Sequence, residues 1–168
     1  RQRQMCIRDR SATNAGISES AILAMAAATA SVGIEADAGS TSWSKFIQEM
    51  QSAVETGEDL DQWATVANMS ASEFAKLWGQ DAAQAINVWI QGLGNAAAQG
   101  QSMTGILEGL NITEVRQTRM LQSLANSGDL LTNALATGNQ AWQKNTALQK
   151  EAATRYACLL YTSDAADE

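Results

Sequence analysis

Residues 70–93, "SASEFAKLWGQDAAQAINVWIQGL", decide the fold class. Two helices are written here head to tail, each with its own start signal. Ser70 and Glu73 have the spacing of a capping box. The serine hydroxyl accepts from the amide of Glu73, and the glutamate carboxylate reaches back to the amide of Ser70. Gly79 closes the first helix, and Asp81, three residues before Gln84, caps the second. Phe74, Trp78 and Trp89 are large apolar side chains set within this pair, and they are candidate packing anchors.

The surrounding composition agrees. The 168-residue chain contains no proline, where a usual frequency of roughly 5% would give about eight. Strong helix formers (Ala, Leu, Gln, Glu, Lys, Met) fill the intervals between glycines, and β-branched runs are missing. These features predict an all-α protein without a sheet, built as an array or bundle of short helices with a longer C-terminal helix. The apolar content is rich in alanine, which buries little area per residue, so thin helix–helix contacts are expected.

Toward the N-terminus, Ser18 or Ser20 caps a helix that runs through "AILAMAAATASVGI" to about residue 34, uncharged between Glu19 and Glu35. Its small residues at i, i+4 spacing (Ala24, Ala28 and Val32, or Ala27 and Ser31) suit close backbone packing. About fifteen residues are too few to span a bilayer, which needs about 20. Two readings stay open for this helix: a buried member of a stack, or a membrane-active segment. "GIEADAGSTS", residues 33–42, is expected as a loop. A helix over 41–56 follows, with Trp43, Phe46, Ile47, Met50 and Val54 on one stripe, and a short helix over 59–67 comes next.

Toward the C-terminus, "GLGNAAAQGQSMTG" (92–105) is expected as a glycine-rich connection. Thr113 is expected to cap "TEVRQTRMLQSLA", and "NSGD" to form a turn. A last helix is predicted over 130–157. Its stripe of Leu131, Leu135, Gly138, Trp142, Asn145, Leu148, Ala152 and Tyr156 alternates by three and four. That stripe suits either an amphipathic bundle helix or a coiled-coil seam, where a buried Asn fixes register.

Little chemistry is written into the chain. It contains no histidine, which removes imidazole acid–base catalysis, Ser-His-Asp triads and histidine metal sites. Glu58, Asp59 and Asp61 read as a solvated helix start favoured by its dipole. "GLGNAA" follows no strand and so makes no dinucleotide loop. The net charge of −7, with scattered Lys and Arg, provides no basic stripe for phosphates, so direct nucleic-acid binding is not expected. The expectation is a non-enzyme with no catalytic, cofactor-binding or metal residues. The residues singled out, Trp43, Phe46, Phe74, Trp78, Trp89, Leu131, Leu135, Trp142 and Leu148, are candidates for packing and self-association.

The two ends read differently from the interior. Arg1–Asp9 can be encoded as CGG CAG CGT CAG ATG TGT ATA AGA GAC. The reverse complement of that string, preceded by one T, translates as CLLYTSDAA, which is Cys158–Ala166. One DNA element thus stands at both ends in opposite orientations, and it resembles a transposon-type sequencing adapter. Residues 1–10 and 158–168 are therefore expected to be non-native, and residues 11–157 to be an open-ended fragment. Both cysteines fall in those ends, so neither a disulfide nor a thiolate site is expected. Four basic and four acidic residues also fall there, so the charge of the interior is still −7.

Three stretches, "GISESAILAMAAATASVGIEADAG", "VANMSASEFAKLWGQDAAQAINVWIQGLG" and "NTALQKEAATRYA", resemble in this order the core region of phage tail tape measure proteins. The resemblance spans nearly all of 11–157. It implies a structural protein that sets tail length, a helical ruler around which tube subunits polymerise, and that assists DNA entry. The implied partners are other copies of the chain, tail tube subunits, tail assembly chaperones and, on infection, the host membrane. The implied locations are the lumen of the virion tail tube and, during assembly, the bacterial cytoplasm. A membrane-active or pore-forming helical segment is the alternative. Glycines recur more often than in a straight ruler, which predicts a compact array of short helices in this region.

Overall fold

The computed structural model describes residues 15–145. Seven helices have both ends within that range: α1 Glu19–Ser31, α2 Ala36–Thr56, α3 Leu60–Val66, α4 Ala71–Gln80, α5 Ala82–Ala98, α6 Met103–Gly109 and α7 Val115–Asn126. An eighth, α8, is helical over 130–145. Among the described residues there is no strand, so the fold is all-α. The expected continuation of α8 to residue 157, with Leu148, lies outside the described residues, as do both adapter-like ends.

The start signals act as written. Ser18 accepts from the amide of Ala21, Ser70 and Glu73 close the full capping box, and Asp81 accepts from the amide of Gln84. Ser20, the other cap candidate, is buried and donates instead to Asn139 Oδ1 on α8 (2.7 Å). Thr113 does not cap α7, which starts from Glu114 without a side-chain cap bond. The Glu114 carboxylate is drawn away to Lys45 Nζ, 3.2 Å distant on α2. Thr118 Oγ1 meanwhile donates back to the Ile112 carbonyl.

Two expected loops are helical, and in both cases a glycine explains the difference. Residues 36–42 extend α2 by more than a turn beyond the expected start. Ser40 and Thr41 return their hydroxyls to the Asp37 carbonyl, which satisfies within the helix side chains that otherwise favour loops. Gly39 is buried there, and a Cβ on it would meet Thr29 Cγ2 of α1 at 2.8 Å. The stretch 92–98 likewise continues α5. A Cβ on Gly92 would overlap the Val66 carbonyl oxygen of α3, and one on Gly94 would lie 2.6 Å from the Ala125 carbonyl oxygen of α7. Those glycines are where neighbouring backbones touch α5. Ser102 then caps α6, a further short helix, by accepting from the amide of Gly105.

α5 is the centre of the bundle. It carries no charged residue and packs against α3, α4, α6 and α7, while α2 packs against α1, α3 and α7. The core runs from Met25 and Ala28 of α1 through Phe46 and Met50 of α2 and Ile86, Trp89, Ile90 and Leu93 of α5. It continues to Met120, Leu121 and Leu124 of α7. The thin contacts expected from the alanine content do not describe the whole bundle and are confined to small-residue faces. Of the two small faces proposed for α1, Ala24 and Ala28 are buried and Ala27 and Ser31 are exposed. Elsewhere the core is made of large side chains, each contributing roughly 1.5–3 kcal/mol on burial.

Alanine favours helix over glycine by about 1 kcal/mol, yet Gly92→Ala forces a methyl into the α3 backbone. Gly92→Ala is therefore expected to lose roughly 1–3 kcal/mol of stability through overpacking. Gly79→Ala, whose Cβ meets nothing within 4 Å, is expected to be neutral or to gain up to about 1 kcal/mol. Urea denaturation of the two variants gives the comparison, and equal effects at both sites would contradict the packing of α5.

Candidate functional site

The most concentrated side-chain cluster is aromatic. Phe46 on α2 is its hub, with ring centroids 6.0 Å from Trp43, 5.7 Å from Trp63 and 5.1 Å from Trp89. Trp63 and Trp89 also touch each other at 5.3 Å. These are edge and tilted arrangements, which put ring edges onto neighbouring faces and suit the ring quadrupoles. Phe46 and Trp89 are fully buried, so the cluster is a core and not an open cage for a ligand. The Trp43 indole N–H donates to Thr29 Oγ1 (2.8 Å), and that hydroxyl donates to the Met25 carbonyl (2.7 Å). A buried polar relay thus ties α2 to α1.

Of the residues singled out from the sequence, Trp43, Phe46, Phe74, Trp78, Trp89, Leu131 and Leu135 are buried. Trp43, Phe46 and Trp89 come together in the aromatic cluster. Trp142 is 42% exposed and does not serve as a core anchor, and Asn145 beyond it is exposed as well. The first half of the α8 stripe therefore seats on the bundle. Gly138 packs there, and a Cβ on it would lie 3.0 Å from the Ser20 carbonyl oxygen of α1.

Sequence reasoning missed the polar seams between helices. Thr132 of α8 meets Asn87 (3.1 Å) and Gln91 (2.8 Å) of α5. On the α2–α7 seam, Gln117 Nε2 donates to Glu49 Oε2 at 2.6 Å, and Lys45 Nζ lies 3.8 Å from Glu49 Oε1. Burial raises the Glu49 carboxyl above the ordinary glutamate range, and Glu114 adds to this. The bond from Gln117 and the Lys45 charge offset part of the rise. Gln117 is fully buried, and its Oε1 has no donor among the described residues. A signal for this seam existed, because Gln117 falls on the apolar stripe of Met120, Leu121 and Leu124, where a polar residue needs a partner. The partner sits 68 positions away in the chain, which no local pattern reports.

Among the described residues, no group of three or more His, Cys, Asp or Glu side chains is placed to hold a metal ion. Glu58, Asp59 and Asp61 are exposed. Two open grooves mark the surface. One, about 260 Å³, is lined by Thr104, Glu108, Val115, Arg119 and Gln122, and the other by Gln91, Asn95, Ala98, Asn126 and Asp129. Both are open to solvent, the second about 590 Å³ in volume, and neither closes around a ligand as small-molecule sites do. No protein-family model, curated protein or solved structure matches the chain.

Replacing the hub shows how much rests on it. Phe46→Ala is expected to lose about 3–5 kcal/mol, while Val115→Ala, at 79% exposure, is expected to stay within about 0.5 kcal/mol of the parent chain. Thermal and urea melts of both variants check this. The cap of α4 adds a pH signature. Glu73 is held below the ordinary glutamate range by the backbone and hydroxyl bonds from Ser70. Its contribution is therefore present above the unfolded value and is lost as pH falls through the folded one. Wild type and Glu73→Gln should thus converge in stability in acid and separate near neutrality, and a gap that widens toward acid pH would contradict the cap.

Proposed function

We propose that this chain is a folded helical portion of a phage tail tape measure protein, a structural component of tail assembly without enzymatic activity. The observation that carries the reading is the order of the three tape-measure-like stretches along residues 11–157. The proline-free, all-α architecture supports it. The partners in this reading are further copies of the chain, tail tube subunits and tail assembly chaperones, with the host membrane on infection. The locations are the tail tube lumen and the bacterial cytoplasm during assembly.

The reading takes a particular form for these residues. A single straight helix of residues 15–145 would span roughly 200 Å at about 1.5 Å per residue. The bundle folds those residues back on themselves, so in this state they act as a module carried by the ruler. The ruler's reach then comes from other parts of a longer protein. The membrane-active alternative draws less support. No helix among the described residues is long and apolar enough to cross a membrane, and Ala21, Ala24, Met25 and Ala28 of α1 are buried in the bundle.

Long reads across the locus test the reading. The expected result is a frame of many hundreds of codons, mostly helical and poor in proline, beside tail-tube and tail-chaperone genes. Its length should set the tail length seen by electron microscopy. A frame that closes within a few dozen codons on either side contradicts a ruler. A dye-leakage assay on liposomes tests the alternative: no release is expected from the folded chain, and release would favour the membrane-active reading.

A further inference from the structure

The α2–α7 seam contains an unpaired acceptor beside a carboxyl group. Gln117 is fully buried on α7, its Nε2 donates to Glu49 Oε2 at 2.6 Å, and its Oε1 has no donor among the described residues. A charged Glu49 can only accept, so it satisfies the amide N–H and leaves the amide oxygen unpaired. A neutral carboxylic acid has one acceptor and one donor, the complement of a primary amide. An unpaired buried acceptor is unfavourable, and so is a desolvated charge. Protonation would relieve both at one place.

We propose that Glu49 and Gln117 form a proton-operated latch between α2 and α7. On uptake of one proton from solvent, the acid C=O accepts from Gln117 Nε2 and the acid O–H donates to Gln117 Oε1, and the seam tightens. Release of the proton returns Glu49 to a carboxylate held by one bond from Gln117 and by Lys45. The charges acting on Glu49 are Lys45, one turn before it, and Glu114 on α7. Lys45 is shared, at 3.8 Å from Glu49 Oε1 and 3.2 Å from Glu114 Oε2, and is itself partly exposed. It therefore neutralises neither carboxylate fully. α5 brings no charge to the seam. The other charged groups on the elements packed against α2 are Glu19 of α1, Asp61 of α3 and Arg116 and Arg119 of α7.

The direction follows from linkage. Burial raises the folded-state Glu49 value above the unfolded one, so its stabilising contribution is complete below the unfolded value. It is lost as pH rises through the folded value. The acidic chain gains stability toward lower pH from general charge repulsion as well, so the latch is read as a difference between variants. Glu49→Gln keeps the shape and presents an amide that both accepts from Gln117 Nε2 and donates to Oε1, which mimics the protonated state.

The test is thermal unfolding of the 168-residue chain and of Glu49→Gln at pH 5 and pH 8, with the Glu49 carboxyl titrated by carbon-13 NMR. The latch predicts that Glu49→Gln melts above wild type at pH 8. It also predicts that the gap narrows as pH falls toward 5, and that Glu49 titrates above every exposed glutamate of the chain. Glu49→Gln melting at or below wild type at pH 8, or a gap unchanged between the two pH values, overturns it. If Glu49→Gln does not fold, the NMR titration decides alone: a Glu49 midpoint within or below the range of the exposed glutamates overturns the latch.

Discussion

Everything in this bundle depends on how closely other backbones approach α5. At Gly92 and Gly94, the carbonyl oxygens of Val66 and Ala125 occupy the space that side chains would fill. Those two contacts bring α3 and α7 onto one uncharged helix. With α3 in that position, Trp63 reaches Trp89, and Phe46 of α2 closes over both. α7 then lines its own apolar stripe along α5, and α2 meets α7 at the Glu49–Gln117 pair. Close backbone packing and large aromatic side chains are thus two parts of one arrangement. The glycines set the distance and the rings fill what remains.

Much of this was legible in the sequence, for identifiable reasons. The absence of proline and the capping patterns at Ser70 and Asp81 are local signals, and the helices obey them. The stripe of Trp43, Phe46, Ile47, Met50 and Val54 follows from helical spacing; the first four side chains are buried and Val54 is half-buried. Glycine was harder to interpret. Gly39, Gly92 and Gly94 carry the same local message as a loop glycine, and only the neighbouring helix decides between the two. Propensity disfavours glycine in a helix by about 1 kcal/mol, and tertiary contact overrides it at all three positions. Gly57, by contrast, ends α2 in the left-handed conformation and is the stop signal it resembles.

The polar seams were not legible because their partners are far apart in sequence. Thr29 to Trp43, Asn87 to Thr132 and Glu49 to Gln117 join different helices. Such pairs add specificity more than net stability, since each group exchanges water for a protein partner. The large side chains form a closed core, and most charged side chains are exposed, with Glu49 partly buried.

Native-state hydrogen exchange on α5 tests the central claim most directly. Regions of a protein open with different free energies, and the slowest amides report global unfolding. If α5 is the element onto which the others pack, the amides of Ala85 to Leu93 should exchange last, at the rate of global unfolding, with α1 and α8 opening earlier. Exchange of α5 as fast as that of α1 or α8 would contradict the account, because the glycine contacts and the aromatic cluster would then not hold the bundle together.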